Sequence, residues 1–246
     1  MIMDLATALS YLPSLLDGAV STLQLTLLTL VFGFLIAAPM ALLRNARNGF
    51  ARALAIGFVF FFRGTPLLAL LFFIYYGAPD VPVIRDTWAW SLFSEPYPVA
   101  VLALSLNSAG YLTEILAGAI RGVPRGEVEA AEAAGFGRFE TIRRIIVPNA
   151  ARLALRSYGN EVVFVIKSTS VASLVTILEL LGVAQKIYFN TFDPITPFLA
   201  AGAIYLAMVF LLLLGVRAAE RRLVPELRVG AASRRAIPAR FSPASP

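Results

Sequence analysis

The 246 residues are 59% hydrophobic and only 15% charged, which excludes an ordinary soluble domain and points to a chain that crosses a membrane several times. Cysteine and histidine are both absent, which removes disulfides, thiolate metal sites and the usual acid–base shuttle. The net charge of +6 invites a nucleic-acid reading, but the placement of the basic residues argues for membrane topology instead.

Residues 1–18 carry Asp4 and Asp17 and no Lys or Arg, which predicts a short external lead-in rather than a cleaved secretory signal. A first span is expected at about 19–43, ending against Arg44, Arg47 and Arg52. A second, at about 53–77, contains Phe62-Arg63-Gly64-Thr65-Pro66-Leu67. Arg63 cannot mark the inner boundary, because the apolar stretch beyond it is short for a crossing. It lies near or within the bilayer, beside a Gly and a Pro that break or kink a helix. Intramembrane charge beside broken helix is the pattern of a transport pathway; snorkelling toward the cytoplasm is the alternative reading of Arg63.

The loop over 78–96 holds Trp88 and Trp90, an aromatic anchor suited to an external interface. The third span, at about 97–120, has small residues for close packing and one carboxylate, Glu114, for which a satisfied structural role is the favoured reading. A polar loop follows at 121–160. Within it, Phe139 to Tyr158 places apolar residues at helical spacing with Arg143 and Arg144 between them, as in a helix lying at the membrane surface. Those two arginines either bind anionic lipid or form the solvated face. The fourth span, at about 161–184, contains Lys167-Ser168-Thr169-Ser170 and Glu179, polar groups that are costly in a crossing unless they face a cavity or other helices. A fifth span is expected at about 194–216, and the Pro/Ala/Ser-rich tail at 229–246 reads as disordered.

Of 21 Lys and Arg, 17 fall in the two loops and the tail that this scheme places inside, and only Arg85 and Lys186 fall outside. That asymmetry predicts an all-α integral membrane protein with five transmembrane helices, its N-terminus periplasmic and its C-terminus cytoplasmic.

The most informative stretch is Gly126 to Pro148, GEVEAAEAAGFGRFETIRRIIVP. Good helix formers from Glu127 to Ala134, with glutamates in the first turn, predict a short helix. Gly135 sits where a helix stops in a left-handed residue. Alanines at 130, 131, 133 and 134 leave at least one side nearly bare, which suits docking into a groove on a partner. This pattern (EAA, three residues, Gly135, nine residues, Ile145-x-Val147-Pro148) resembles the EAA loop of binding-protein-dependent ABC importer permeases. It departs from the family pattern at Val147, where the family usually has leucine. The FRGTPL string, Tyr158-Gly159-Asn160-Glu161, Lys167-Ser168-Thr169-Ser170 and the surroundings of Tyr205 are similar to elements of the histidine, lysine/arginine, octopine and nopaline permeases.

That resemblance implies a type I ABC importer permease fold over about 1–228 in the bacterial inner membrane, paired with a second, related permease subunit. The implied partners are an ABC ATPase dimer and a periplasmic solute-binding protein, with membrane lipid around the chain and no nucleic acid. ATP and Mg would sit on the ATPase, since the chain has no G-x-x-x-x-G-K-[ST] phosphate loop and binds no cofactor or metal itself. The implied ATPase-coupling residues are Glu129, Ala130, Ala131, Gly135, Phe139 and Pro148. The coupling helix is expected to be continuous with the third and fourth spans. The intramembrane ionisable groups Arg63, Lys167 and Glu179, with Glu114 second, are the candidates for the substrate pathway. An ion-gradient-driven secondary transporter and a non-transporting scaffold are the rival functions.

Overall fold

The computed structural model describes residues 5–88 and 90–223; the expectation of a disordered tail at 229–246 lies outside them. Among the described residues all regular structure is helical: α1 (Leu5–Arg44), α2 (Gly49–Gly64), α3 (Leu67–Gly77), α4 (Pro82–Arg85), α5 (Trp90–Phe93), α6 (Pro96–Arg121), α7 (Arg125–Ala133), α8 (Arg138–Thr141), α9 (Val147–Ser168), α10 (Leu180–Thr191) and α11 (Thr196–Leu223). Three of them, α1, α6 and α11, are long and apolar enough to cross a membrane alone. Two bent pairs bring the number to five if each is one span: α2 with α3, bent by 97°, and the run from α8 through α9 with α10, bent by 44°.

The segments expected as the second and fourth spans are therefore broken helices, each with a local cause. Between α2 and α3, Pro66 has no N–H to give to the carbonyl of Phe62 four residues back. That carbonyl instead accepts from the side-chain amide of Asn107 on α6 at 2.9 Å. Thr65 closes α2 by bonding Phe61 O through both its amide (3.0 Å) and its hydroxyl (2.7 Å). Sequence reading expected the break here; it did not expect the one in the fourth span. There α9 runs into a 3₁₀ segment, Thr169–Val175, and stops at Thr176 with φ of 66°. A β-branched residue in the left-handed region is strained. The fourth span is thus not the continuous helix expected over 161–184.

The restart at α10 is held by a buried network. The fully buried Glu179 is its N-cap, and its Oε1 accepts from Gly182 N at 2.8 Å. Thr22 of α1 accepts from Leu180 N at 3.1 Å and donates to Glu179 Oε2, while the Tyr205 hydroxyl of α11 donates to the same oxygen. Two of the first amides of α10, which a helix leaves unsatisfied, are thereby met by Glu179 and by Thr22 of α1, and Tyr205 of α11 braces the capping carboxylate. Gly182 is required by space as well: a Cβ there would lie 2.3 Å from Ile177 O.

α6 is the central helix and packs against α1, α2, α3 and α9. Of its most apolar stretch 67% is buried, against 6% for α11, so α11 shows its Leu206, Phe210 and Leu211 to the surroundings. Small residues let the helices approach: a Cβ on Gly110 would meet Arg63 Cγ at 3.1 Å, and one on Gly159 would meet Val216 Cγ1 at 2.6 Å. The expected lead-in is not a separate segment, because α1 starts at Leu5 and passes through it without a break to Arg44.

Candidate functional site

The polar loop builds two short helices on a small apolar base. Ala119, Val123, Ala150 and Ala154 form that base, with Val128 of α7 and Ile146 packed against it. α7 spans Arg125–Ala133 and ends in paired reverse bonds: Gly135 N to Glu132 O and Phe136 N to Ala131 O, both 3.0 Å. With Gly135 at φ of 84°, this is a Schellman stop, the conformation a glycine adopts without a Cβ penalty. Glu129, Ala130, Ala133, Ala134 and Gly135 are exposed, whereas Ala131 is 6% exposed. Of the six residues implied in coupling, Ala131 therefore faces the chain's own loop, and the bare surface is made by Ala130, Ala133 and Ala134. Phe139 on α8, the helix next to α7, is 76% exposed.

α7 is not continuous with its neighbours. Gly122–Pro124 separate it from α6, and Ala134–Gly137 separate it from α8. It is tied to the spans by short turns and by the apolar base instead of by unbroken helix. Pro148 lies in the first turn of α9, exposed, just after a π-helical turn over Ile142–Ile146. Val147 N reaches back to Ile142 O; the wider turn accommodates a proline that cannot donate to the turn before it. The helix expected from Phe139 to Tyr158 is thus present with a bulge in it. Arg144 pairs with Glu140 at 3.0 Å and covers the Phe136 ring at 5.6 Å.

The four ionisable candidates for a pathway do not meet at one place. Arg63 and Glu114 line a cavity of about 510 Å³ with Arg44, Tyr111 and the apolar wall of Ile56, Val59 and Phe60. Arg63 lies over the Tyr111 ring at 4.9 Å, and Glu114 accepts from Arg44 Nε at 2.7 Å with Arg121 at 3.7 Å. Lys167 is exposed in the last turn of α9, where a cation suits the helix dipole, outside that cavity. Glu179 is the buried cap described above.

Sequence reading passed over a fifth charged group. Glu161 is 5% exposed and accepts from Ser108 Oγ at 2.7 Å, near enough to Arg63 for that charge to act on it. The signal was available in spacing: Ala150, Ala154, Glu161 and Val165 share the buried face of α9, so one carboxylate interrupts a stripe of small and apolar residues. No group of three or more Asp or Glu that could hold a metal occurs among the described residues.

A helical chain with broken spans and a Schellman-stopped helix presented on a polar loop has close relatives. The family model for the inner membrane component of binding-protein-dependent transport systems matches residues 29–225. The chain belongs to that family. This permease is 43% identical to the nopaline transport system permease protein of Agrobacterium fabrum over 92% of its own length and 94% of that protein's. It is 40% identical to the arginine ABC transporter permease protein of Escherichia coli, covering 86% and 95%. Relative to the histidine/lysine/arginine/ornithine transport system permease protein of Salmonella typhimurium it is 41% identical over 83% and 88%. Among solved structures, an amino acid ABC transporter matches with a TM-score of 0.79 at 28% identity, over 90% of the permease and all of that chain. A methionine ABC transporter in an inward-facing conformation shares the fold, with a TM-score of 0.72 at 20% identity. The permease is a transport subunit of the inner membrane with the type I ABC importer fold, and not an enzyme.

Proposed function

We propose that this permease moves polar, in particular basic, amino acids or opines inward, powered by a separate ATPase dimer that docks on α7. The substrate class rests on the names of the relatives, which carry nopaline, octopine, arginine and histidine/lysine/arginine/ornithine. The observation that supports docking is the exposed alanine face of α7 closed by Gly135, with Phe139 exposed on the next helix. The basic residues that follow α1, line the loop and end α11 support a cytoplasmic side for those ends, and with it five spans and a periplasmic N-terminus. A second, related permease completes the membrane unit, and a periplasmic binding protein delivers the solute.

Coupling follows from two-state thermodynamics. ATP closes the ATPase pair, α7 moves with it, and the apolar base under Val128 carries the displacement to α6 and α9. ATP has a different affinity for the two states, and that difference shifts the bundle from inward to outward opening. The pathway runs past Arg63, which is held over Tyr111 at the break in the second span. Glu114 lines the same cavity, its charge offset by Arg44 and Arg121. Glu179 acts as the fastening of the fourth span. None of the observations favours an ion-gradient-driven transporter. The test is ATPase activity of the reconstituted complex with a loaded binding protein across arginine, lysine, histidine and octopine. Stimulation by one ligand class identifies the solute; stimulation by none of them removes the basic amino acid and opine assignment.

A further inference from the structure

Where α1 ends, α2 begins and α6 ends, three guanidinium groups converge. Arg44, Arg52 and Arg121 line a cavity of about 590 Å³ with Asn45, Ala46 and Ile120. The cavity is built and held: Asn45 donates to Ala41 O at 3.0 Å and Ala117 O at 3.3 Å, and accepts from Arg121 at 3.1 Å. Asn48 caps α2 through the amides of Phe50 and Ala51, fixing the helix that carries Arg52. One carboxylate, Glu114, answers two of the three arginines, which leaves two positive charges in excess around the opening. The same two helices show bare apolar side chains, Leu42 64%, Phe50 81% and Leu54 54% exposed. A basic cavity at the ends of helices that carry exposed apolar side chains matches a molecule with an anionic head and apolar tails.

We propose that this cavity binds the headgroup of an anionic phospholipid from the inner leaflet, its acyl chains lying along Leu42, Phe50 and Leu54. The exposed apolar side chains that α1 and α2 carry near the same ends argue for lipid over a free phosphate ion, which has no use for them. The proposal rests on the orientation given above, but its readout is lipid retention, which stands whether or not loaded binding protein stimulates the ATPase. The full complex is purified in mild detergent, and labelled phosphatidylglycerol and phosphatidylcholine are compared for retention, with native mass spectrometry of bound lipid. One basic side chain at a membrane surface is worth about fivefold in binding an anionic lipid. Arg52→Gln should lower phosphatidylglycerol retention by about that factor, and Arg52→Lys should restore most of it. Ala46→Trp should displace the lipid by filling the cavity with no change of charge, and Arg85→Gln, in another loop, should have no effect. Excess inorganic phosphate should not compete. Equal retention of both lipids, retention indifferent to Arg52→Gln and Ala46→Trp, or displacement by inorganic phosphate would each overturn the proposal. So would the absence of any retained lipid from the full complex.

Discussion

Gly135 gives the sharpest handle on coupling, because its two possible roles separate cleanly. Its φ is 84°, and a Cβ built there meets nothing within 4 Å. Inside the permease, therefore, substitution carries a backbone cost and no clash. For an L-residue in the left-handed region that cost is about 1–2 kcal/mol, with β-branched residues the worst placed and Asn the best. Since about 1.4 kcal/mol is a factor of ten in an equilibrium, Gly135→Val should reduce the population with a correctly closed α7 by roughly an order of magnitude. Gly135→Ala should fall between, and Gly135→Asn should stay near the parent, although Asn has more side-chain heavy atoms than Val. The assay is solute import in proteoliposomes set against ATPase hydrolysis, with co-purification of the ATPase as the assembly control. The expected order of import is Gly, Asn, Ala, Val. If Val transported as well as Gly, or if Asn and Val failed equally, the stop conformation would not be what matters and the argument would be refuted.

The remaining predictions concern the membrane segments. Asn107→Leu leaves the Phe62 carbonyl without its partner and should destabilise the permease by about 1–3 kcal/mol, read as a lower unfolding midpoint in detergent; an unchanged midpoint would deny that Asn107 supports the break. Gly159→Leu should disrupt the contact of α9 with α11 at Val216, and Val216→Ala should partly restore assembly if that crossing is the cause. Thr176→Gly should stabilise the permease by about 1 kcal/mol through release of the left-handed strain; an unchanged midpoint would deny that the residue is strained. Arg63→Ala should lower import without loss of ATPase co-purification; loss of assembly instead would make Arg63 a packing residue.

The helix α7 was the most legible part of the chain. It begins at Arg125, two residues before the expected Glu127, but its stop at Gly135 is set by local chemistry, and local chemistry is what a sequence displays. The break at Pro66 was legible for the same reason, since proline forbids one particular hydrogen bond. The break at Thr176 was not: it has no Pro or Gly at the stop, and its cause is a carboxylate buried among Thr22 and Tyr205, residues 157 and 26 positions away. Glu179 consequently read as a pathway charge when it is a cap. Glu161 was hidden in the opposite way, because a carboxylate at the start of an expected span looks like a boundary until Ser108 is seen against it. Ala131 looks like its neighbours in composition, and only the packing of α7 separates the face it shows inward from the face left bare.

The central claim is that α7 is where the ATPase docks and through which it drives the bundle. The chain has no cysteine, so a single Ala133→Cys on the bare face is a clean probe. Cross-linking to a cysteine introduced in the ATPase cleft is measured during stimulation by loaded binding protein. The account predicts a disulfide to the ATPase that stops both stimulated hydrolysis and import, with full recovery on reduction. A complex that hydrolyses and imports normally while Ala133→Cys stays free and open to solvent reagents would contradict it.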